Sequence, residues 1–180
     1  MQDTVQPPVA SGGGFELTRV RQYTICFSNR VGKLAGLLRM LADSGLRLSA
    51  LCVEESADVA LIRIIACDAD ACAACLEMER VTFSECDVLC VEVPVKERQP
   101  LLSLCSALLA AEINIHYAYP MIRPQDQRPA MAFYVEDLTL AARLLMRHDF
   151  RILAESDLKA TGFGGTDAAD DADGVNGTES

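Results

Sequence analysis

The fold is decided by residues 28–51, whose sequence is SNRVGKLAGLLRMLADSGLRLSAL. Asn, Arg, Val and Gly near its start form a turn signal. Leucines then recur at helical spacing, at positions 34, 37, 38 and 41, until a glycine at position 45 ends the helix. Leu46, Leu48 and Ala50 alternate as in a strand. Since the β-rich segment 21–28 precedes the turn, this stretch predicts a strand, a helix and a second strand.

The same pattern occurs a second time in the chain. Residues 38–51 align with residues 105–118 at an offset of 67, and farther along the offset becomes 69, which places Asp68 on Asp137. A two-residue insertion between positions 119 and 128 accounts for the change of offset. The internal repeat therefore indicates two copies of one unit of about 70 residues.

Each unit has the predicted order βαββαβ, because a hairpin, a second helix and a short strand follow the segments already described. Almost no linker separates the two copies. The predicted fold class is α+β, with two ferredoxin-like βαββαβ repeats side by side and an antiparallel sheet that has its helices on one face. The predicted boundaries are a disordered segment 1–16, a first repeat 17–87, a second repeat 88–158 and a disordered acidic tail 159–180.

The composition of the chain excludes several classes of partner. Its 180 residues have a net charge of −10, and five of the 26 acidic residues lie in residues 161–180 without any base. No cluster of Lys and Arg is large enough for a nucleic acid, and no apolar run approaches the roughly 20 residues that span a bilayer. The first 14 residues lack the basic start and apolar centre of a secretory signal, so we expect a cytoplasmic protein.

Eight cysteines invite a metal or redox interpretation, with Cys72 and Cys75 in a CxxC spacing. A structural zinc site needs a second pair of ligands, and none lies nearby. Most of the cysteines stand among apolar residues, where a reduced thiol behaves as a small hydrophobe. No catalytic triad, phosphate loop or isolated carboxylate pair is present. We therefore expect neither a metal nor a cofactor, and no enzymatic activity.

The segments 28–51 and 105–119 resemble the ACT domain, a small ligand-sensing module. In that family the first strand ends in a loop of the Asn-Arg-Pro-Gly type before a Leu-rich helix, a Gly and a second strand. The chain departs from the family at Val31, where proline is usual. The resemblance covers both repeats, and it implies a tandem ACT protein with no enzyme attached.

The resemblance implies an amino-acid site between two ACT domains, formed by the loop before the first helix of one domain and a second-strand residue of its neighbour. A helix N-terminus has unpartnered amide N–H groups and partial positive charge, so this loop is suited to an α-carboxylate. The candidate ligand-binding residues of the two repeats are Asn29, Arg30, Val31, Gly32, Lys33, Leu34, Asn114 and His116.

The two repeats differ at these positions. The second repeat has no glycine in its loop, residues 96–100, and carries Glu97 there, while the first repeat has Arg47 where the second has Asn114. One composite site is therefore predicted to be intact and the other degraded. Taken singly, the loop residues are more typical of a plain turn, and Asn114 of an outward strand position; only their alignment at matching places of the repeat favours a ligand site.

Three functions are compatible with these features. The first is a non-catalytic regulatory protein that binds an amino acid or a similar small metabolite between its ACT domains and signals allosterically, as a homodimer. The second is the regulatory subunit of an amino-acid biosynthetic enzyme, such as the acetolactate synthase small subunit, which the chain resembles in length. The third is an adaptor protein whose sites are all degenerate.

Overall fold

The computed structural model describes residues 19–28, 30–56, 58–124 and 127–159. Within these ranges the chain forms seven strands and five helices. The strands are β1 (Val20–Ser28), β2 (Leu48–Ser56), β3 (Val59–Ala66), β4 (Phe83–Glu92), β5 (Ile115–Pro120), β6 (Ala130–Val135) and β7 (Ile152–Leu153). The helices are α1 (Lys33–Asp43), α2 (Ala69–Met78), α3 (Pro100–Ala110), α4 (Leu138–Arg147) and α5 (Glu155–Lys159).

Two βαββαβ units lie side by side along one antiparallel sheet, which confirms the predicted fold class. The strand order is β2-β3-β1-β4-β6-β5, and β7 pairs with β4 on the edge that β6 leaves open. Strand β4 belongs to both units: its first half, up to Val88, pairs with β1, and its second half, from Leu89, pairs with β6. The boundary predicted between residues 87 and 88 thus falls inside a continuous strand.

The ends of corresponding helices in the two units are separated by 67 or 69 residues, which are the offsets of the sequence repeat. Each of α1 to α4 ends at a residue with positive φ, and the amide that follows it bonds to a carbonyl five residues back, as in a Schellman motif. The four residues are Gly45, Arg80, Glu112 and Asp149. The starts of α2 and α4 correspond as well, because Asp68 and Asp137 each accept a hydrogen bond from the amide three residues on.

The helices cover one face of the sheet in two core clusters. In the first unit, Tyr23 and Ile25 of β1 pack against buried leucines of α1 and α2. In the second unit, Leu89 and Val91 of β4 pack against α3 and α4. Phe83, on the same face of β4 as Leu89 and Val91, packs against the first cluster, which places all four helices on the same side of the sheet.

The opposite face of the sheet is buried as well, because the sheet curls until its outer strands meet. Ala50 of β2 forms a bridge with Met121, beside the end of β5, and the Ile122 amide donates a 2.7 Å hydrogen bond to the Ser49 carbonyl. The helix-free side chains inside this curl form a third core cluster, in which Leu158 of α5 lies 1% exposed. The core thus has three clusters and two layers of apolar contact.

A buried polar network joins the two units inside the curl. Gln22 of β1 is fully buried. The Tyr119 hydroxyl donates to Gln22 Oε1 over 2.7 Å, and Gln22 Nε2 donates to the Tyr117 hydroxyl over 2.8 Å. The Arg63 guanidinium lies 4.2 Å from the centre of the Tyr117 ring. Because both tyrosines belong to β5, the two shortest hydrogen bonds of this side-chain amide cross to the other unit, while Nε2 also reaches Thr24 Oγ1 of its own unit over 3.1 Å.

The end of the second unit differs from the sequence interpretation. The alternation in residues 150–155 predicts a strand, yet β7 spans only Ile152–Leu153, and α5 begins at Glu155. The reason is local: the Asp157 carboxylate accepts a 2.8 Å hydrogen bond from the Ala154 amide and so caps the start of a helix. Helix α5 extends to Lys159, while the predicted segment 1–16 and residues 160–180 of the predicted tail lie outside the described residues.

An ion pair fastens α5 to the first unit. Arg21 Nε and Nη2 donate to the two carboxylate oxygens of Glu155 at 2.8 and 3.0 Å, and Arg21 Nη2 also reaches Asp70 of α2 at 2.7 Å. The hydrogen bonds from Arg21 lower the pKa of Glu155 from its usual value. The fork geometry of the guanidinium makes this contact bidentate, which is the stronger form of the pair.

We expect Arg21→Gln to lower the free energy of unfolding at pH 7 by about 1–3 kcal/mol. The pKa of Glu155 is lowered by folding, so the pair contributes above the unfolded carboxyl pKa of about 4.3, and its contribution is lost as the pH falls. The deficit of the variant should therefore shrink toward pH 3 in urea titrations. Arg19→Gln removes an exposed pair with Asp87 and is the control, with an expected change below about 1 kcal/mol. An equal Arg21→Gln deficit at both pH values would contradict an ionic role.

Candidate functional site

A pocket of about 480 Å³ opens where α1 begins. We call it the α1 pocket. Its wall is made by the end of β1, the turn before α1, the first two turns of α1 and one residue of the connection between α2 and β4. The lining residues are Phe27, Val31, Gly32, Lys33, Gly36, Leu37, Met40 and Val81. The volume is in the range of small-molecule sites, and most of the lining side chains are apolar.

The first turn of α1 borders this pocket. Among the residues that the structure describes, no side chain caps the helix, and the first turn holds no acidic residue. The Lys33 amide makes a long 3.3 Å hydrogen bond to the Arg30 carbonyl, and the Gly36 amide makes the first intrahelical bond, to Gly32, at 2.9 Å. The amides of Leu34 and Ala35 therefore have no partner within the helix. This end of the helix is electropositive and open to an anion.

Two glycines shape the pocket. Gly32 has φ of 90°, a left-handed conformation that L-residues rarely adopt, so a side chain there would strain the turn. Gly36 is exposed on the first turn of α1, and a Cβ built on it would meet no atom within 4 Å. The helix backbone is consequently bare where it borders the pocket, with room for a ligand against it.

The predicted loop residues occupy different places around the pocket. Val31, Gly32 and Lys33 line it, and Lys33 Nζ lies 5.9 Å from the centre of the Phe27 ring. Leu34 is half-buried against the core of the first unit, and Arg30 is exposed and contributes its carbonyl to the turn. Asn29 lies outside the described residues.

The predicted second-repeat residues do not line the α1 pocket. Asn114 immediately precedes β5; it is exposed, and its carbonyl accepts a hydrogen bond from the Glu136 amide. His116 is exposed on β5, with its ring centre 5.3 Å from that of Tyr134 on β6. The loop and the strand thus remain separate features in this chain, and their joint use of one ligand remains a prediction.

Sequence reasoning missed the apolar wall of the pocket. Phe27 follows the alternation of a strand, and Leu37 and Met40 follow the apolar spacing of a helix. All three are therefore typical of core packing positions. Val81 comes from the α2–β4 connection, far away in sequence. Gly36 carried the only available signal, since a second glycine four residues after Gly32 marks bare backbone on one helix face.

The start of α3, which corresponds to that of α1, is built differently. Gln99 occupies the N-cap with φ of −140°, and Pro100 takes the first helical position. A proline has no amide hydrogen, so one of the donors available in α1 is missing here. The start of α3 therefore offers fewer amide donors than the start of α1, as the comparison of the two loop sequences predicts.

The cysteines of the CxxC spacing face the core. Cys72 and Cys75 are buried between α2 and the sheet, and burial raises the pKa of Cys72 to about 12. All eight cysteines are free thiols. Among the residues that the structure describes, no three His, Cys, Asp or Glu side chains are grouped so that they could hold a metal ion.

None of the helices in the described ranges has the length and apolar character needed to cross a membrane.

Comparison with known proteins yields structural relatives only. No protein-family model matches the chain, and no curated protein matches its sequence. The crystal structure of protein BT0572 from Bacteroides thetaiotaomicron is similar with a TM-score of 0.71 at 25% identity, covering 79% of this chain and 96% of that one. The ligand-free regulatory subunit of aspartate kinase from Thermus thermophilus is similar with a TM-score of 0.51 at 12% identity, covering 73% and 93%. These similarities support an ACT-type, ferredoxin-like fold.

Proposed function

We propose that this chain is a non-catalytic regulatory protein of the tandem ACT type that binds an amino acid or a similar small carboxylate at the start of α1. The observation that carries the proposal is the uncapped first turn of α1, which borders the α1 pocket beside two glycines. The structural similarity to a regulatory subunit of aspartate kinase is compatible with a regulatory role.

The chemistry of the pocket favours an amino acid with an apolar side chain. The N–H groups of the first turn donate hydrogen bonds to the α-carboxylate, and Lys33 adds a positive charge beside them. The ligand side chain then packs on Phe27, Leu37 and Met40, whose surfaces are apolar. Glycine at position 36 lets the ligand lie directly on the helix backbone.

Asn114 and His116 enter the proposal as residues supplied across an interface. In the arrangement that the ACT resemblance implies, the loop of one domain faces the second strand of a neighbouring domain. Since neither residue lines the α1 pocket of its own chain, the neighbour would be a second copy in a homodimer. Binding that is insensitive to Asn114→Ala would assign the site to the α1 pocket alone.

A thermal-shift screen with the twenty amino acids tests the proposal. A ligand present at 100 times its dissociation constant adds roughly 2.7 kcal/mol, which corresponds to a rise in melting temperature of about 5–10 °C for a chain of this size. We expect apolar amino acids to give the largest rise. The amine that lacks the carboxylate of the best ligand is the matched control and should give none. A screen in which no amino acid shifts the transition would favour an adaptor protein instead.

The alternative is a regulatory subunit of an amino-acid biosynthetic enzyme. The similarity to the regulatory subunit of aspartate kinase suggests this second candidate. Affinity purification of the tagged chain from its native cells separates the two, because a subunit would retain a large catalytic protein at a fixed ratio. We place either form in the cytoplasm, where eight free thiols remain reduced.

A further inference from the structure

Helix α3 carries apolar side chains on its outer face that the core of the second unit does not bury. Its eleven residues, PLLSLCSALLA, include no charged side chain. Leu104, Ala107 and Leu108 face the core of the second unit. On the outside, four further apolar side chains form what we call the α3 stripe: Leu101, Leu102, Cys105 and Leu109.

The α3 stripe is one continuous surface. Leu101, Cys105 and Leu109 are spaced four residues apart and therefore lie above one another on one helix face, with Leu102 beside them. Leu102 is 60% exposed and Leu109 is 75% exposed. Water contact at these leucines costs free energy that burial against a partner would recover.

The first unit supplies an internal comparison. At the offset of 67, buried Leu37 and Leu41 of α1 correspond to buried Leu104 and Leu108 of α3. Two of the four outer positions differ in size, because α1 has exposed Ala35 and Ala42 where α3 has Leu102 and Leu109, while leucines 34 and 38 correspond to Leu101 and Cys105. The fold itself therefore does not require large apolar residues at the positions of Leu102 and Leu109.

We infer that the α3 stripe is a homodimer interface, in which α3 of one copy packs antiparallel on α3 of a second copy about a two-fold axis at Cys105. This inference rests on the homodimer of the proposed function and adds one contact surface, on the second unit, to the composite site considered there. About that axis, Leu101 lies opposite the partner's Leu109, and Cys105 opposite the partner's Cys105. Cysteine is small, so the two helices can approach closely where they cross.

The charges at the two ends of α3 support a second copy of the chain as the partner that covers the α3 stripe. Exposed Arg98 precedes the helix start by two residues, and exposed Glu112 follows its end by two. The same two-fold axis that pairs the leucines places Arg98 opposite the partner's Glu112, twice per dimer. Antiparallel packing also sets the positive end of each helix beside the negative end of the other. The surface is thus self-complementary, as an isologous interface requires.

Sedimentation velocity of the full chain and its variants tests the interface. We expect a dimer for the natural sequence, and Leu109→Glu should raise the dimer dissociation constant by about 100-fold or more, because the dimer would bury an unpaired carboxylate. Ala42→Glu, at the matching position of α1, should leave the constant unchanged. A monomeric natural sequence, or equal effects of the two variants, would overturn the inference.

The antiparallel register proposed for the two α3 helices can be tested separately. Arg98→Glu and Glu112→Arg should each weaken the dimer about 5- to 10-fold, and the double variant should restore it, since the swapped charges again lie opposite each other. A bismaleimide should cross-link the natural dimer through Cys105, so Cys105→Ser should abolish the product and Cys26→Ser should keep it. A dimer that survives Leu109→Glu, or a cross-link that survives Cys105→Ser, would assign the contact to another surface.

The amino-acid screen separates failure of this interface from failure of the proposed ligand site. If Leu109→Glu keeps its fold by circular dichroism and becomes monomeric, the interface is supported whatever the screen returns. If the chain binds an amino acid as a monomer, the α1 pocket stands and the interface is wrong. Binding of a terminal segment to the α3 stripe would appear as a monomer whose melting temperature falls with Leu109→Glu, and it would overturn the inference.

Discussion

Deletion of residues 155–180 is expected to lower the melting temperature by roughly 10 °C or more, whereas deletion of residues 161–180 should leave it unchanged. The longer deletion removes Leu158, which is 1% exposed in the core inside the curled sheet, and Glu155, which pairs with Arg21. Loss of a buried leucine alone costs about 2–5 kcal/mol, and one kcal/mol corresponds to about 2–4 °C for a chain of this length.

The single variant Leu158→Ala isolates the packing part of this loss. It should reproduce at least half of the effect of the longer deletion in differential scanning calorimetry. The shorter deletion removes a segment rich in Gly, Ala, Asp and Thr, whose composition offers few apolar side chains to bury. A clear loss of stability from the shorter deletion would mean that part of that segment packs on the fold.

Gly36→Leu is expected to abolish binding of the amino acid that the thermal-shift screen returns, by 100-fold or more, without lowering stability. A Cβ at this position meets no atom within 4 Å, so the leucine side chain fits into the space beside the helix. Leucine also favours a helix over glycine by up to about 1 kcal/mol. Calorimetric titration measures the binding loss, and Ser103→Leu at the matching position of α3 is the control, which should bind normally.

Gly32→Pro should abolish binding through the backbone. Proline cannot adopt the φ of 90° found at this position, so the turn that presents the first amides of α1 would change. The matched change in the second repeat, Gln99→Pro, also alters the backbone, because Gln99 has φ of −140°, but it lies outside the α1 pocket and should leave binding unchanged. Equal binding losses from the two proline variants, each with its fold verified, would show that the site lies elsewhere.

Local sequence signals predicted the elements of this fold well. The leucine spacing before Gly45 located α1, and Asp68 and Asp137, which the repeat aligns with each other, cap the starts of α2 and α4. The sequence does not show that the ends of α2 and α3 share the conformation found at Gly45, since Arg80 and Glu112 adopt the left-handed conformation that glycine usually supplies.

The curl of the sheet could not be predicted from the internal sequence repeat and the hydrophobic periodicity alone. It depends on contacts between residues near positions 50 and 121, which are far apart in sequence and lie partly in an irregular segment. One signal was present: Val88 to Val91 are apolar in succession, which indicates a strand buried on both faces. The loop part of the α1 pocket could be predicted, because it lies in one continuous stretch of sequence. The contribution of Val81 could not, because only the tertiary fold brings this residue to the pocket.

The strand shared by both units limits how a bound ligand can act. β4 runs without a break from Phe83 to Glu92 and carries partners from both halves of the molecule. A continuous hydrogen-bonded strand cannot serve as a hinge, because a hinge needs a few residues that are free to change φ and ψ. We therefore expect a ligand bound at α1 to affect the second half through twist or shear of one sheet, with both halves deforming together.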